Sequence, residues 1–318
     1  MTSENDNTLH QFSEQLADAV EFGAHSVYLV DGRKRMPASA VLIGENSLLA
    51  ADHAIEGDGP VPVQDPDGGA GNATIVGRDP GSDLALLSLD DGAGIAASFS
   101  ETPARVGQVA LALGRPGPNG VQASFGIVSA IGSMVRSYRR RGRGRRSRAG
   151  HSRKTNSAEQ ILRTDAVPYP GFSGGPLIDS AGHVLGINTS GLHRGVSIAI
   201  PIARAAQIAA ALREHGSVRR GYLGIRSQPA AITSDQQSLL NREQASGLLI
   251  VWVEAESPAA QGGLLVGDII VGMNDVSLAD AEDLQVELAG NSAGASAEFQ
   301  LLRGGQVLQT SLVVGERV

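Results

Sequence analysis

A serine set among glycines and bounded by prolines, in Pro170-Gly171-Phe172-Ser173-Gly174-Gly175-Pro176, is the stretch of this sequence best suited to chemistry. Proline fixes φ and carries no N–H, so the segment is neither a helix interior nor a central strand. Glycine admits the positive-φ backbone that lets a side chain stand clear and backbone N–H groups converge. Acyl transfer needs both: the Oγ of Ser173 attacks a carbonyl carbon while the N–H groups of Gly171 and Ser173 receive the oxyanion. A serine hydroxyl also needs a base, and the base needs a third group to orient it. His53 follows the apolar run Leu48-Leu49-Ala50-Ala51, and Asp83 directly precedes the apolar run Leu84–Leu87. His53 would take the proton of Ser173 and return it to the leaving amine, and Asp83 would hold the imidazole tautomer. Taken singly, each has a plainer account: a glycine-rich surface turn, a surface histidine, an aspartate capping a turn.

The elements that must position these residues are short and mostly extended. Apolar runs at Ser26–Val30, Ala38–Ile43, Ser47–Ala51, Ala73–Val76, Leu84–Leu89, Gln108–Leu113 and Val121–Ile131 are separated by turn signals such as Asp31-Gly32 and Pro66-Asp67-Gly68-Gly69. Strands continue at Leu177-Ile178, Val184–Asn188 and Val196–Ile200. Many short strands at close spacing predict a barrel or sandwich. Helical spacing of apolar residues predicts a helix over Leu9–Phe22 after a disordered start. Pro201–His215 reads as a second helix, stopped by Gly216. Residues 216–220 read as a linker. From Gly221 a second unit is expected, with strands at Tyr222–Arg226, Gly247–Val253, Asp268–Met273, Ala297–Leu302 and Thr310–Val314, and helices at Pro258–Gly262 and Ala279–Ala289.

The chain has 318 residues, enough for two domains. It has no cysteine, which excludes disulfides and thiolate metal sites. Its start is polar and acidic, with no basic region leading into an apolar run, and this predicts a cytoplasmic protein. No stretch approaches the length of a membrane span. The net charge of −7 is uneven. The segment 136–154 holds ten of the 26 basic residues and no acidic one, leaving 16 basic against 33 acidic elsewhere, a net of −17.

His53, Asp83 and Ser173 occur in the chain order of the chymotrypsin-type triad. With Ala51-Asp52-His53-Ala54, Asp79–Leu87, Gly126–Gly132, Thr164-Asp165-Ala166, Gly171–Pro176, Gly186–Thr189, Ala199-Ile200-Pro201, Gly221–Ile225 and Ser257–Asp268, the sequence resembles the HtrA (Deg) serine proteases along nearly its whole length. The resemblance implies a mainly β chain: a chymotrypsin-like double β-barrel over 23–215, then a PDZ domain over 221–318. It implies ATP-independent endoproteolysis of unfolded or damaged proteins without a cofactor or metal, and homotrimers in which the N-terminal segment around Phe12 is a contact. Phe172 stands where the family usually has Asn. The oxyanion donors are backbone groups, so that departure leaves them in place. In this fold the position six before the serine, here Val167, lies at the base of the S1 pocket, with Asn188, Thr189 and Ser190 as the opposite wall. An apolar base disfavours a buried Lys or Arg and predicts small or medium apolar P1 residues.

Arg220–Ile225 resembles the carboxylate-binding loop of a PDZ domain. Tyr222, Leu223, Gly224 and Ile225 would receive a peptide C-terminus and pair with it by β-augmentation, with Ile225, Leu284 and Leu288 forming the side-chain pocket. An insertion over 134–154 carries Arg139, Arg140, Arg141, Arg143, Arg145 and Arg146. Dense like charge with glycine reads as a solvated loop, or as a sensor for a polyanion such as nucleic acid, polyphosphate or acidic lipid. Two rivals remain. The GxSxG of α/β-hydrolases requires a strand before the serine and a helix after it, which Pro168, Pro170 and Pro176 oppose. A latent or non-proteolytic scaffold would use the same fold to bind peptides at the PDZ unit and anions at the arginine run.

Overall fold

The computed structural model describes residues 3–34, 36–90, 94–133, 160–192, 197–218, 220–289 and 293–317. It separates into two compact units, Met1–Val218 and Arg219–Val318.

The first unit opens with helix α1 (Ser3–Ala24). This helix starts earlier than the expected Leu9, and no disordered stretch runs to residue 8. Apolar periodicity registers only the turns that carry an apolar stripe, not the polar turns before them. Strands β1 (Val27–Val30), β2 (Ala38–Leu42), β3 (Ser47–Ala51), β4 (Val61–Gln64), β5 (Ala70–Asp79) and β6 (Leu84–Leu89) form a closed barrel in the order β1-β2-β3-β6-β5-β4. Strand β4 was not expected, because Pro62 argues against a strand. It is tolerated because Pro62 lies beyond the last β1 pair, Val30 with Val63, so the missing N–H falls at the end of that ladder.

Strands β7 (Val109–Gly114), β8 (Gln122–Ser133), β9 (Gln160–Thr164), β10 (Pro176–Ile178), β11 (Val184–Thr189) and β12 (Ile198–Pro201) close a second barrel in the order β10-β11-β12-β9-β8-β7. Helix α2 (Ile202–His215) follows and ends on Gly216 at φ +72°. Strands β1, β2, β3, β10 and β11 read as mostly apolar runs because both their faces are buried. Ala40, Leu42, Leu48, Ala50, Ala85 and Leu87 fill one cluster of the first barrel. Their alternates Val41, Leu49, Leu84 and Leu86 join Leu111, Leu113, Ile178 and Ile187 of the second barrel, with Ile208 and Leu212 of α2, in a shared core. This shared core fixes the two barrels against each other, and the serine, histidine and aspartate come from both.

The second unit comprises β13 (Arg220–Tyr222), β14 (Ile225–Ala231), α3 (Ser234–Leu240), β15 (Ser246–Val253), α4 (Pro258–Gln261), β16 (Ile269–Met273), β17 (Val276–Ser277), α5 (Ala281–Ala289), β18 (Ser296–Arg303), β19 (Gln306–Val313) and β20 (Gly315–Arg317). Its main sheet runs β14-β15-β16-β18-β19, leaving β14 at an edge. The linker expected over 216–220 is shorter than that. Gly216 caps α2, and Arg220 already pairs with Arg317 at the far end of the chain, a long-range contact that no local pattern reveals. Among the described residues no helix is long and apolar enough to cross a membrane.

Candidate active site

His53 sits in the single 3₁₀ turn Asp52–Ala54, where β3 ends. Arg78 of β5 clasps that turn: its Nε donates to Asp52 Oδ1 at 2.6 Å, Nη2 to the Ile55 carbonyl at 2.8 Å and Nη1 to the Gly57 carbonyl at 3.1 Å. Asp83 stands just before β6 with φ +59°, a left-handed conformation that aspartate tolerates better than most residues. Strand pairing of β3 with β6, Ala51 opposite Leu84, brings the two residues that follow and precede those strands together.

The imidazole Nδ1 lies 2.7 Å from Asp83 Oδ2 and 2.9 Å from Oδ1, and the His53 backbone N–H donates to Oδ1 at 2.9 Å. Thr189 Oγ1 donates a short hydrogen bond to Oδ2. Burial pushes the Asp83 carboxyl up, but the hydrogen bonds from the His53 ring, Thr189 and the His53 backbone outweigh it and hold it below its ordinary value. An ionised Asp83 accepting from Nδ1–H leaves the lone pair of Nε2 facing the cleft, the tautomer that a general base needs. Gly191 closes over this pair: a Cβ there would come within 2.7 Å of both Asp83 Cγ and His53 Nδ1.

Ser173 lies in the loop between β9 and β10. Pro170 and Gly171 occupy the central positions of a turn closed by the Phe172 N–H donating to the Tyr169 carbonyl at 3.0 Å, with Gly171 at φ +90°. Proline followed by a positive-φ glycine is the signature of a type II turn. Ser39 of the first barrel grips the loop, its Oγ donating to the Gly171 carbonyl at 2.7 Å and its N–H to the Ser173 carbonyl at 3.0 Å. Among the described residues the N–H groups of Gly171 and Ser173 donate to no protein acceptor. The Ser173 hydroxyl lies 3.0 Å from Ser190 Oγ, which in turn is 3.4 Å from His53 Nε2. Arg33, Met36, His53, Glu56, Pro168, Tyr169, Pro170, Gly171, Ser173 and Ser190 line one cleft.

The expected substrate wall is corrected in three of its four residues. Val167 is 53% exposed and is not among the residues lining this cleft, while its neighbour Pro168 is; the Val167 N–H donates to Ser124 Oγ at 2.9 Å. Asn188 is buried, its Nδ2 donating to the Pro176 carbonyl, and Thr189 is buried against Asp83. Only Ser190 of the four faces the cleft. Ser39, Arg78 and Gly191 were not singled out from the sequence. Their roles depend on contacts over many residues, and only the adjacency of Gly191 to Thr189-Ser190 hinted at one.

In the second unit the expected single strand Tyr222–Arg226 is two strands, broken at Leu223-Gly224, where Gly224 adopts φ +78° and a Cβ would strike Ser257. The carbonyls of Leu223 and Gly224 accept from Ala259 and Glu254, while their N–H groups donate to no protein acceptor among the described residues. Leu284 is core, and Ile225 and Leu288 pack at its margin. Tyr222 lies in β13, opposite Gly315. The arginine run, Arg139 to Arg146, lies outside the described residues. Among the described residues no group of His, Asp and Glu side chains is placed to hold a metal ion.

Residues 38–187 match the trypsin-like peptidase domain and residues 221–314 the PDZ domain. The chain is 32% identical over 291 residues to a probable periplasmic serine endoprotease DegP-like of Rhizobium meliloti, covering 89% of this chain and 54% of that protein. It is 31% identical over 277 residues to a probable periplasmic serine protease do/HhoA-like of Haemophilus influenzae, covering 84% and 56%. The chain thus spans about half the length of the curated relatives it matches. Its fold is similar to that of the HtrA-type protease AlgW with tripeptide, with TM-score 0.75, 32% identity, and coverage of 95% of this chain and 97% of that one. The cytoplasmic location expected from the polar start is overturned by the periplasmic names of these relatives, since a local reading of the first residues carries no address. With both domains matched and a solved relative covered nearly end to end, the chain belongs to the family of HtrA-type serine proteases.

Proposed function

We propose that the protein is a serine endopeptidase that cleaves unfolded polypeptides without ATP, with Ser173 as nucleophile, His53 as general base and then acid, and Asp83 as the orienting carboxylate. The observation that carries this reading is the Asp83–His53 pair, 2.7 Å apart, with Asp83 buried and Nε2 turned to the cleft that Ser173 and Ser190 line. Substrate binding removes water from the cleft and brings the Ser173 hydroxyl onto Nε2, a contact that often tightens only in the substrate complex. Ser173 Oγ then bonds to the scissile carbonyl carbon, and its proton passes to His53. The carbonyl electron pair moves to the oxygen, facing the Gly171 and Ser173 N–H groups. Collapse expels the amine, which takes the proton from His53. Water, deprotonated by the same imidazole, releases the acyl group. Pro168, in place of Val167, supports a preference for apolar P1 residues.

The unpaired Leu223 and Gly224 N–H groups and the edge strand β14 support capture of an extended peptide C-terminus by the second unit. Phe12, 41% exposed, stacks edge-on against the exposed Phe125, which supports self-association through this patch, with three copies as the expected number. Polyanion binding at the arginine run rests on charge alone. The names of the relatives favour action in the periplasm.

The test is cleavage of unfolded casein by the wild type and by Ser173→Ala. The reading predicts loss of cleavage in the variant. Cleavage that persists overturns the nucleophile, and a wild type that cleaves nothing favours the scaffold alternative.

A further inference from the structure

The oxyanion turn is held by an apolar anchor. Phe172, between the two proposed donors, is fully buried in the core of the second barrel with Ala112, Val128, Leu162 and Leu177. Its ring meets that of Tyr169 edge to face at 5.5 Å, so both ends of the Tyr169–Phe172 turn are tied by one aromatic contact as well as by the hydrogen bond that closes it. Space for the ring is made by Gly114, where a Cβ would lie 2.5 Å from Phe172 Cδ1. The Phe172 carbonyl accepts from Gly175 at 2.9 Å, closing the far side of the loop. A side chain locked in a close-packed core cannot rotate without opening a cavity. The peptide that carries the Ser173 N–H is held through the Phe172 carbonyl, and the one that carries the Gly171 N–H lies inside the turn whose end the ring anchors.

The geometry points to Phe172 as a positioning residue that keeps the Gly171 and Ser173 N–H groups set for an oxyanion before any ligand binds. The oxyanion turn is therefore set at rest, while the Ser173 hydroxyl still has to pass from Ser190 Oγ to His53 Nε2. This rests on the proposed nucleophile and deepens it.

A peptide aldehyde tests it, because Ser173 Oγ adds to the aldehyde carbon, the hydroxyl proton passes to His53, and an oxyanion forms with no leaving group. The carboxylic-acid product of the same peptide binds the cleft without forming that adduct. The readings are kcat and KM on a small peptide substrate, and the two affinities, for the wild type, Phe172→Ala and the conservative Phe172→Met, each confirmed folded by circular dichroism. The expected result for Phe172→Ala is a loss of about 100-fold in kcat with KM little changed, the scale of losing one oxyanion donor. Aldehyde affinity weakens by a similar factor, product affinity holds, and Phe172→Met recovers most of the loss. Should the alanine variant not fold, Phe172→Leu reads the same aldehyde-to-product ratio. A folded variant whose ratio equals that of the wild type overturns the inference alone. A wild type that forms no adduct at Ser173 overturns the nucleophile and this inference together.

Discussion

At the residue scale, the pair Asp83–His53 sets what the site can do and when it fails. Asp83→Asn removes the acceptor that fixes the Nδ1–H tautomer, and the expected loss is about 10⁴-fold in kcat, read by steady-state hydrolysis of a peptide. The carboxyl of Asp83 is held below its ordinary value in the folded chain. Its contribution to stability is therefore complete above the unfolded value of about 3.9. It is lost as the pH falls from there through the lowered folded value. Urea midpoints of the wild type should fall across that acid range, and those of Asp83→Asn should fall less steeply. Gly191→Ala thrusts a methyl group at both partners; kcat should fall at least tenfold while product binding survives, because the displaced atoms belong to the proposed proton path. The three residues proposed to react could be picked out because their types and order are distinctive. Gly191 could not, since a glycine's need for space depends on what folds over it. Val167 differs for a related reason: counting back from the serine fixes a position in the chain, not which neighbouring side chain faces the cleft.

Turns and strand ends do most of the positioning at the scale of elements. The 3₁₀ turn bearing His53 has no side-chain cap, and Arg78 supplies the missing order by bonding the Asp52, Ile55 and Gly57 carbonyls and the Asp52 carboxylate. Arg78→Ala leaves the buried Asp52 carboxylate without that partner and should cost about 2 kcal/mol, read as a fall in the denaturant midpoint at unchanged slope, together with reduced activity. The strands were readable from apolar runs bounded by turn signals, as with β3 and β6. Strand β4 was hidden by Pro62, whose effect depends on where the ladder ends. Helix α3, with its Thr233–Gln236 capping box, was also passed over. Its start signal is present in the sequence, but only Leu240 of the helix is buried, so the apolar stripe that would flag it is missing.

At the scale of the whole molecule, two units have separate cores: one holds the cleft, the other the edge strand β14, preceded by Leu223 and Gly224, whose N–H groups meet no protein acceptor among the described residues. The exposed Phe12–Phe125 contact belongs to the first unit. Phe12→Asp should lower the assembled mass in sedimentation or light scattering while leaving the fold intact, and an unchanged mass would remove this patch from any interface. Turn signals at strand spacing left a barrel or a sandwich open, and an Ala-rich helix ending at Gly216 marked off a second unit; the double barrel and the PDZ domain came from the resemblance to the HtrA proteases. The join between the units was less legible, because β13 exists only by pairing with β20 near the other end of the chain.

The most direct test of the central claim is the reaction of the intact protein with a fluorophosphonate, followed by peptide mapping of the adduct in the wild type, His53→Ala and Asp83→Asn. The account predicts one adduct on Ser173 in the wild type, and labelling slowed by orders of magnitude in both variants. An adduct elsewhere, or labelling of Ser173 that is indifferent to His53, would contradict it.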